Sequence, residues 1–216
     1  MSLEVTQLEN GPFAENCYVV HQEGGEEAVV VDPGWPGVLS GVEQALDGAR
    51  CAAILITHGD IDHVGGVAEV ARATGAPVYM PAEESDRLER IGEFVPAGLE
   101  GAPFEPYEPD VRLRGDEKID VAGISFQTLS VPGHTRAHLA FAGDGAVFAG
   151  DVLFAGGVGR TDRPDGDWET LLSSIRTLAD RLPPETVVYP GHGQPTTIGR
   201  ELETNPFLAE LRAARP

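Results

Sequence analysis

Short apolar runs alternate with polar segments along the first eighty residues, and each run has the length of a single strand. The runs lie at residues 3–9, 16–20, 28–31, 52–56 and 77–80. The run at 52–56 is continuously apolar, which is typical of a strand buried on both faces. Between the runs, apolar residues recur at helical spacing over 38–49 and 64–71. This half of the chain therefore predicts strands connected by helices.

The second half of the chain repeats this pattern. Strands are predicted at residues 111–113, 119–121, 124–129, 139–141, 146–149 and 186–189. Gly143-Asp144-Gly145 separates two of these runs and favours a hairpin, while Asp167 is the expected N-cap of a helix over 168–182. The Pro- and Glu-rich residues 82–110 predict one short helix at 83–90 and otherwise loop. Two strand-rich halves with helices indicate two packed sheets covered by helices.

The chain is strongly acidic, with 35 Asp and Glu against 15 Lys and Arg and a net charge of -20. Nucleic acids and anionic membranes both require a basic face, so neither partner is expected. A length of 216 residues with 41% hydrophobic residues favours a single domain over 1–216 with its own core. No signal peptide and no membrane-spanning run is recognisable, which predicts a cytoplasmic protein.

Two cysteines, Cys17 and Cys51, match no metal-binding spacing and are expected to be buried as small apolar residues. His21 has polar neighbours and is expected on the surface.

Histidines and aspartates follow the ends of several predicted strands. The segment Thr57-His58-Gly59-Asp60-Ile61-Asp62-His63 comes directly after the run at 52–56 and carries two imidazoles and two carboxylates. Three later turns each add one such side chain, namely His134, Asp151 and His192. Several strand ends that each supply one nitrogen or oxygen ligand are typical of a catalytic metal site. His138, close to His134, is expected to stabilise the turn by hydrogen bonding rather than to bind metal.

These motifs resemble those of the metallo-β-lactamase superfamily and, within it, the single-domain glyoxalase II-like thioester hydrolases. The family pattern T-H-x-H-x-D-H matches Thr57 to His63 except at one position. Other matching segments are Asn16-Cys17-Tyr18, Asp32-Pro33-Gly34, Pro132-Gly133-His134-Thr135, Gly150-Asp151, Pro190-Gly191-His192-Gly193, Thr196-Thr197-Ile198-Gly199 and Asn205-Pro206-Phe207-Leu208. The resemblance implies an α+β fold, a four-layer αββα sandwich with the metal site at one edge of the two sheets.

The resemblance also implies a ligand set for two divalent ions, Zn, Fe or Mn. The first ion would be held by His58, Asp60 and His134, the second by Asp62, His63 and His192, and Asp151 would bridge them. Two such ions lower the pKa of a shared water and make hydroxide available at neutral pH. Asp62 and Asp151 are the candidate catalytic residues, Asp62 as the ligand that orients the hydroxide.

Asp60 departs from the family pattern, which has a second histidine at this position. Aspartate can ligate through oxygen, but it is shorter than histidine and adds a negative charge. The departure favours Mn or Fe over Zn and predicts that the first position is altered or partly occupied, so that only one ion could be bound. The alternative is that Asp60 simply replaces the histidine as a metal ligand, without functional consequence.

The expected reaction is hydrolysis of an acyl thioester of a small thiol, with S-lactoylglutathione as the model substrate. A metal-bound hydroxide would attack the carbonyl carbon, and the departing thiolate needs no strong general acid. Arg160 matches the basic residue with which the family binds the thiol part, although pairing with Asp162 or Asp165 is equally compatible with the sequence. Asp162 also replaces an aromatic residue of larger members, which leaves the identity of the thiol open.

A second reaction class remains compatible with the sequence. His58, His134 and Asp151 alone form the two-His, one-carboxylate set of non-haem Fe(II) oxygenases. The superfamily's persulfide dioxygenases resemble this arrangement, so a mononuclear Fe(II) enzyme is the alternative to the thioesterase. A non-catalytic metal-binding domain, a nuclease and a β-lactamase are less favoured. The oligomeric state is not indicated by the sequence.

Overall fold

The computed structural model describes residues 2–213, and its N-terminal half forms a mixed six-stranded sheet in the order β1-β2-β3-β4-β5-β6. These strands are β1 Leu3–Asn10, β2 Glu15–Gln22, β3 Glu27–Val31, β4 Arg50–Leu55, β5 Val78–Pro81 and β6 Val111–Leu113. Strands β1 to β3 are antiparallel, whereas β3 to β6 are parallel. Parallel neighbours require crossovers, and these contain α1 Leu39–Leu46, α2 Ile61–Val64, α3 Val67–Thr74 and α4 Ser85–Glu89.

A second six-stranded sheet follows in the described chain, in the order β14-β13-β10-β9-β8-β7. The later strands are β7 Lys118–Val121, β8 Ile124–Ser130, β9 Leu139–Gly143, β10 Ala146–Gly150, β11 Leu153–Phe154, β12 Gly157–Val158, β13 Val187–Pro190 and β14 Thr196–Thr197. Strands β10 and β13 are parallel, and β11 pairs with β12 in a small separate hairpin. The predicted β9–β10 hairpin is confirmed, with φ angles of 46° at Asp144 and 80° at Gly145, as a tight two-residue turn requires.

Apolar side chains form three layers between these elements. Tyr18, Val31, Phe126 and Phe148 belong to the cluster between the two sheets. A second cluster joins the first sheet to α1 and α3. The third joins the second sheet to α5 Trp168–Arg181, α6 Ile198–Thr204 and α7 Ala209–Ala213. The chain is therefore a four-layer αββα sandwich, as expected from the sequence.

The helix predicted over residues 64–71 is divided by Gly65 and Gly66 into α2 and α3. Gly66 N–H donates to the Pro33 carbonyl at 2.9 Å, and a Cβ at Gly65 would lie 2.6 Å from the Gly34 carbonyl oxygen. The turn after β3 thus packs directly on the helical segment and interrupts it. Helical periodicity alone could not reveal this contact. The short elements β11, β12, β14, α6 and α7 were also not predicted.

The expected helix cap and the burial of both cysteines are confirmed. The Asp167 side chain accepts a hydrogen bond from Thr170 N at 2.8 Å at the start of α5. Cys17 and Cys51 are free and buried. Among the helices of residues 2–213, none is long and apolar enough to cross a membrane.

His21 differs from its predicted surface position. It lies near the end of β2, it is half-buried, and its Nε2 is 3.1 Å from the Ala45 carbonyl oxygen.

Candidate metal centre

The strand-end motifs converge at one edge of the sandwich. Strand β4 runs parallel to β3, and β10 runs parallel to β13, so the carboxyl ends of each pair lie together. The two sheets are joined at this edge, where Asn16 N–H donates to the Gly191 carbonyl at 2.8 Å and the Tyr18 hydroxyl donates to the Pro190 carbonyl at 2.6 Å. The turns that follow β4, β8, β10 and β13 carry the candidate ligands.

Asp151 lies at the centre of the cluster. Its Oδ1 is 3.4 Å from His63 Nε2, and its Oδ2 is 3.6 Å from His134 Nε2 and 3.5 Å from His192 Nε2. His192 Nε2 is also 3.4 Å from Asp62 Oδ2. One carboxylate therefore faces imidazoles from three separate turns, which is the position expected for a bridging ligand.

All seven predicted residues fall into groups whose ligand atoms lie within 4.8 Å of one another. These groups are His58–Asp60–His134, His58–His63–Asp151 and Asp62–His63–His192. A fourth such group, Glu15–Asp32–His63, contains a glutamate that the sequence analysis had not singled out. The structure thus brings together every candidate that the strand-end motifs suggested.

The arrangement of buried polar atoms fits a bound metal. Within residues 2–213, Nε2 of His58, His63 and His134 and Oδ1 of Asp151 are buried without a hydrogen-bond partner. Buried polar groups normally have a partner, and here nitrogen and oxygen atoms of metal-binding type converge on one region. The donor set therefore fits divalent metal ions.

The opposite ring nitrogen of each candidate histidine contacts a neighbouring oxygen. His63 Nδ1 lies 3.0 Å from Asp32 Oδ2, and His134 Nδ1 lies 2.8 Å from the Arg160 carbonyl. His58 Nδ1 contacts Thr57 Oγ1 at 3.0 Å, and His192 Nδ1 contacts the Phe13 carbonyl at 3.2 Å. Such contacts orient each ring so that Nε2 faces the metal region.

Asp32 also supports the turn that carries His58. Its Oδ1 accepts from Thr57 N–H at 2.8 Å, and its Oδ2 accepts from the Thr57 hydroxyl at 2.6 Å. Asp32 adopts a left-handed φ of 47°, which aspartate tolerates better than most residues. The segment Asp32-Pro33-Gly34 therefore holds both the β4 turn and the His63 ring.

His138 has the hydrogen-bonding role that the sequence analysis expected. Its Nε2 accepts from Asp151 N–H at 3.1 Å, and its ring stacks on His58 with centroids 4.6 Å apart. Burial and the charge of nearby His134 lower the pKa of His138 to about 3. It therefore remains neutral and can accept the hydrogen bond.

Glu84 is a supporting residue that sequence reasoning missed. It is buried, its Oε2 accepts from Gly59 N–H at 2.7 Å, and its Oε1 accepts from Ala137 N–H at 2.9 Å. The two oxygens thus tie the β4 turn to the β8–β9 turn. Its sequence context, a Glu-Glu pair in a segment without clear periodicity, gave no signal for this role.

Asp60 lies beside its predicted partners, but it also contacts two arginines. Its Oδ2 is 3.3 Å from His134 Nε2, and it forms ion pairs with Arg87 and Arg163. Burial alone would raise its pKa, but the interaction with His134 and the charges of both arginines lower it. The sequence analysis had considered its added negative charge but not these guanidinium groups.

Arg160 lies at the rim of this region. It is exposed, and its Nε and one terminal nitrogen donate to the Asp162 carboxylate at 2.6 and 2.7 Å. A substrate carboxylate would therefore have to compete with Asp162 for the guanidinium. The role of Arg160 in substrate binding stays a prediction.

The metal-free protein should lose stability as pH rises from about 7 to 10. Burial alone would lower the pKa of His192, but hydrogen bonds to Asp151 and Asp62 raise it to about 10. The resulting stabilisation is complete below the unfolded value near 6.5 and disappears as pH passes through about 10. Thermal unfolding of the chelator-treated protein across this range measures the effect.

A His192→Gln variant is the control, because it cannot bind this proton. Its metal-free form should show a weaker decline in melting temperature over the same range. Equal pH profiles of the two proteins would contradict the assignment.

Glycine is required immediately before His134. Gly133 has a φ of +128°, and a Cβ there would overlap the Leu171 backbone at the start of α5. Gly133→Ala should therefore destabilise the protein by about 1–3 kcal/mol and displace His134. Thermal unfolding and metal content of the variant test this expectation.

Gly92→Ala is a suitable control, because its Cβ would point into open space. We expect Gly92→Ala to change neither the melting temperature nor the metal content. An unchanged melting temperature of Gly133→Ala would contradict the packing argument.

The fold and this cluster define a member of a known class of metal-dependent proteins. The model of the metallo-beta-lactamase superfamily matches residues 10–192, and the chain belongs to that superfamily. The chain is 36% identical over 204 residues to the hydroxyacylglutathione hydrolase GloC of Haemophilus influenzae, covering 91% of this chain and 93% of that protein. It is therefore similar in sequence and length to a glyoxalase II-like protein.

Two solved structures extend the comparison. The crystal structure of the BLEG-1 B3 metallo-beta-lactamase has a TM-score of 0.87 and 34% identity, covering 95% of this chain and all of that chain. TTHA1623, solved in a di-iron-bound form, has a TM-score of 0.68 and 37% identity, covering 94% of this chain and all of that chain. The similarity to the BLEG-1 structure supports the αββα fold of this chain. TTHA1623 is a similar protein that was solved with two iron ions bound.

Proposed function

We propose that this protein is a metal-dependent hydrolase that cleaves acyl thioesters of a small thiol. The observation that carries the proposal is the position of Asp151 between the histidines of three separate turns, next to buried ring nitrogens that lack partners. Similarity to GloC, named as a hydroxyacylglutathione hydrolase, supports the choice of thioesters. An S-lactoylglutathione-like compound is the model substrate.

The site would hold two divalent ions, Zn, Fe or Mn. His58 and His134, with Asp60 nearby, would hold the first ion, and Asp62, His63 and His192 would hold the second, with Asp151 shared. When bound, such ions lower the pKa of water and polarise a carbonyl group. The di-iron form of TTHA1623 supports iron among the possible metals.

The protein's own residues would fix the geometry of the reaction. Asp62 lies at the partly exposed side of the cluster, 3.4 Å from His192, and would orient the attacking water. The thiolate is a good leaving group, so no side chain need protonate it. Arg160 would bind a carboxylate of the thiol portion by exchanging its contact with Asp162.

A set of thioesters tests this proposal directly. The protein, loaded separately with Zn, Mn and Fe, is assayed with lactoyl and acetyl thioesters of glutathione and of several other small thiols, following release of the free thiol. We expect hydrolysis that disappears on chelation and returns with metal. Absence of hydrolysis with all metals and thiols, in a protein that is folded and holds metal, would overturn the proposal.

The ligand types at the first position support one alternative, a mononuclear Fe(II) persulfide dioxygenase-like enzyme with its single ion there. Because both Asp60 oxygens contact arginines, His58, His134 and Asp151 form a two-His, one-carboxylate set without it. Oxygen consumption by the Fe(II)-loaded protein with glutathione persulfide distinguishes the two reactions. Rapid oxygen uptake without thioester hydrolysis would select the dioxygenase.

A further inference from the structure

Asp60 is a buried aspartate that contacts two arginines, one of which also pairs with a second aspartate. Its Oδ1 accepts from Arg87 at 2.9 Å, and its Oδ2 accepts from Arg163. Arg87 is also paired with Asp165. Asp60 itself is 5% exposed, so its carboxylate depends on these contacts more than on solvent for its charge to be stabilised.

The Oδ2 atom of Asp60 would have to serve two partners. It is 3.3 Å from His134 Nε2 and 3.9 Å from His58 Nε2, so it is the oxygen that faces the first metal position. The same atom contacts the Arg163 guanidinium. A metal ion in that position would share this oxygen with a positive charge already bound to it.

The two metal positions also differ in net charge. The charges of Asp60 and Asp165 are offset by those of Arg87 and Arg163. At the second position, the Asp62 carboxylate contacts the His192 imidazole and, within residues 2–213, no arginine or lysine. A divalent cation is attracted more strongly to an uncompensated carboxylate than to one that two guanidinium groups neutralise.

We propose that Arg87 and Arg163 hold Asp60 as an ion-pair partner and thereby make the first metal position weaker than the second. The inference rests on the proposed metal-dependent function and concerns how its centre is loaded. One ion binds tightly at Asp62, His63, His192 and Asp151. A second ion binds weakly at His58 and His134, in competition with Arg163 for Asp60. Arg87 and Arg163 are thus positioning residues.

Calorimetric addition of Zn²⁺ alone to the metal-free protein tests this inference. The wild-type protein should bind two ions in distinct steps and keep about one ion per chain after dialysis against a moderate chelator. Arg163→Met frees Oδ2 of Asp60 and should tighten the weaker binding step by at least about tenfold. The reason is that a hydrogen bond from a charged group no longer competes with the metal ion for this oxygen. Asp60→Asn should weaken or abolish that step while retaining the tight one.

Arg90→Met is the matched control. It removes the same charge from an exposed guanidinium that contacts Asp86 and Glu93 rather than Asp60. We expect its two binding steps to be those of the wild type. A similar tightening in both arginine variants would show a general charge effect and overturn the assignment to Arg163.

Other outcomes are equally decisive. Two ions bound with equal affinity in the wild type, or an unchanged or weakened second step in Arg163→Met, would overturn the inference. Arg163 is 45% exposed, so its replacement should not prevent folding, and circular dichroism of the variant verifies this. Metal binding is measured without any substrate, so absence of thioester hydrolysis would affect the proposed function and leave this result unchanged.

Discussion

Asp151→Asn should lose metal binding and reduce thioester hydrolysis by at least about a thousandfold. The asparagine side chain keeps the size of aspartate but removes the charge that faces His63, His134 and His192. Loss of one oxyanion-stabilising donor already reduces catalysis by about 10²–10³-fold, and Asp151 is expected to contact both ions. Metal content per chain and initial rates at saturating metal measure the two effects.

Asp120→Asn serves as the control for this prediction. Asp120 lies exposed on β7 beside Lys118, outside the cluster, so its replacement should leave metal content and rate unchanged. If Asp151→Asn retained two ions and a near wild-type rate, the central role assigned to Asp151 would be wrong.

The candidate ligands could be found from the sequence because each lies in a turn after a strand or, for Asp62 and His63, in the short helix α2 that follows such a turn. A run such as 52–56 predicts its strand from local composition, and the next residues must then lie at the sheet edge. His58, His134, Asp151 and His192 could therefore be placed together before their distances were known. The αββα arrangement was expected from family resemblance, and the three apolar layers confirm it.

The residues that surround Asp60 could not be found in this way. Arg87 and Arg163 are 27 and 103 positions from Asp60 in sequence, and no periodicity relates them to it. Arg87 belongs to α4, within the short helix predicted at residues 83–90, but that prediction does not indicate what its side chain contacts. Contacts of such long range arise from the packing of one turn on another, which local spacing does not encode.

These contacts change the interpretation of the acidic composition. The sequence indicated three carboxylates around two ions, with Asp60 adding negative charge to the first position. In the structure, Arg87 and Arg163 offset that charge. Two of the 15 basic residues therefore lie beside the aspartate that replaces the family's histidine. The added charge of Asp60 is compensated locally, so the replacement changes the electrostatics of the first position rather than of the whole site.

Glu84→Ala should destabilise the protein and also impair metal binding. The change leaves Gly59 N–H and Ala137 N–H without their acceptor, and each unsatisfied buried donor costs about 1–3 kcal/mol. For a chain of this size, the resulting loss of about 2–6 kcal/mol corresponds to a melting temperature about 4–24 °C lower. Thermal unfolding of the metal-free variant isolates this effect from loss of metal.

Glu83→Ala is the matched control for Glu84→Ala, because the neighbouring side chain is exposed. Its melting temperature should stay within about 2 °C of the wild type, as for most surface substitutions. Gly59 lies between His58 and Asp60, and Ala137 lies between His134 and His138. Without Glu84 the two turns are no longer joined, so the ligands of the first metal position that they carry should move apart. A Glu84→Ala variant with wild-type stability and wild-type affinity at both metal positions would show that the turns hold their geometry without this carboxylate.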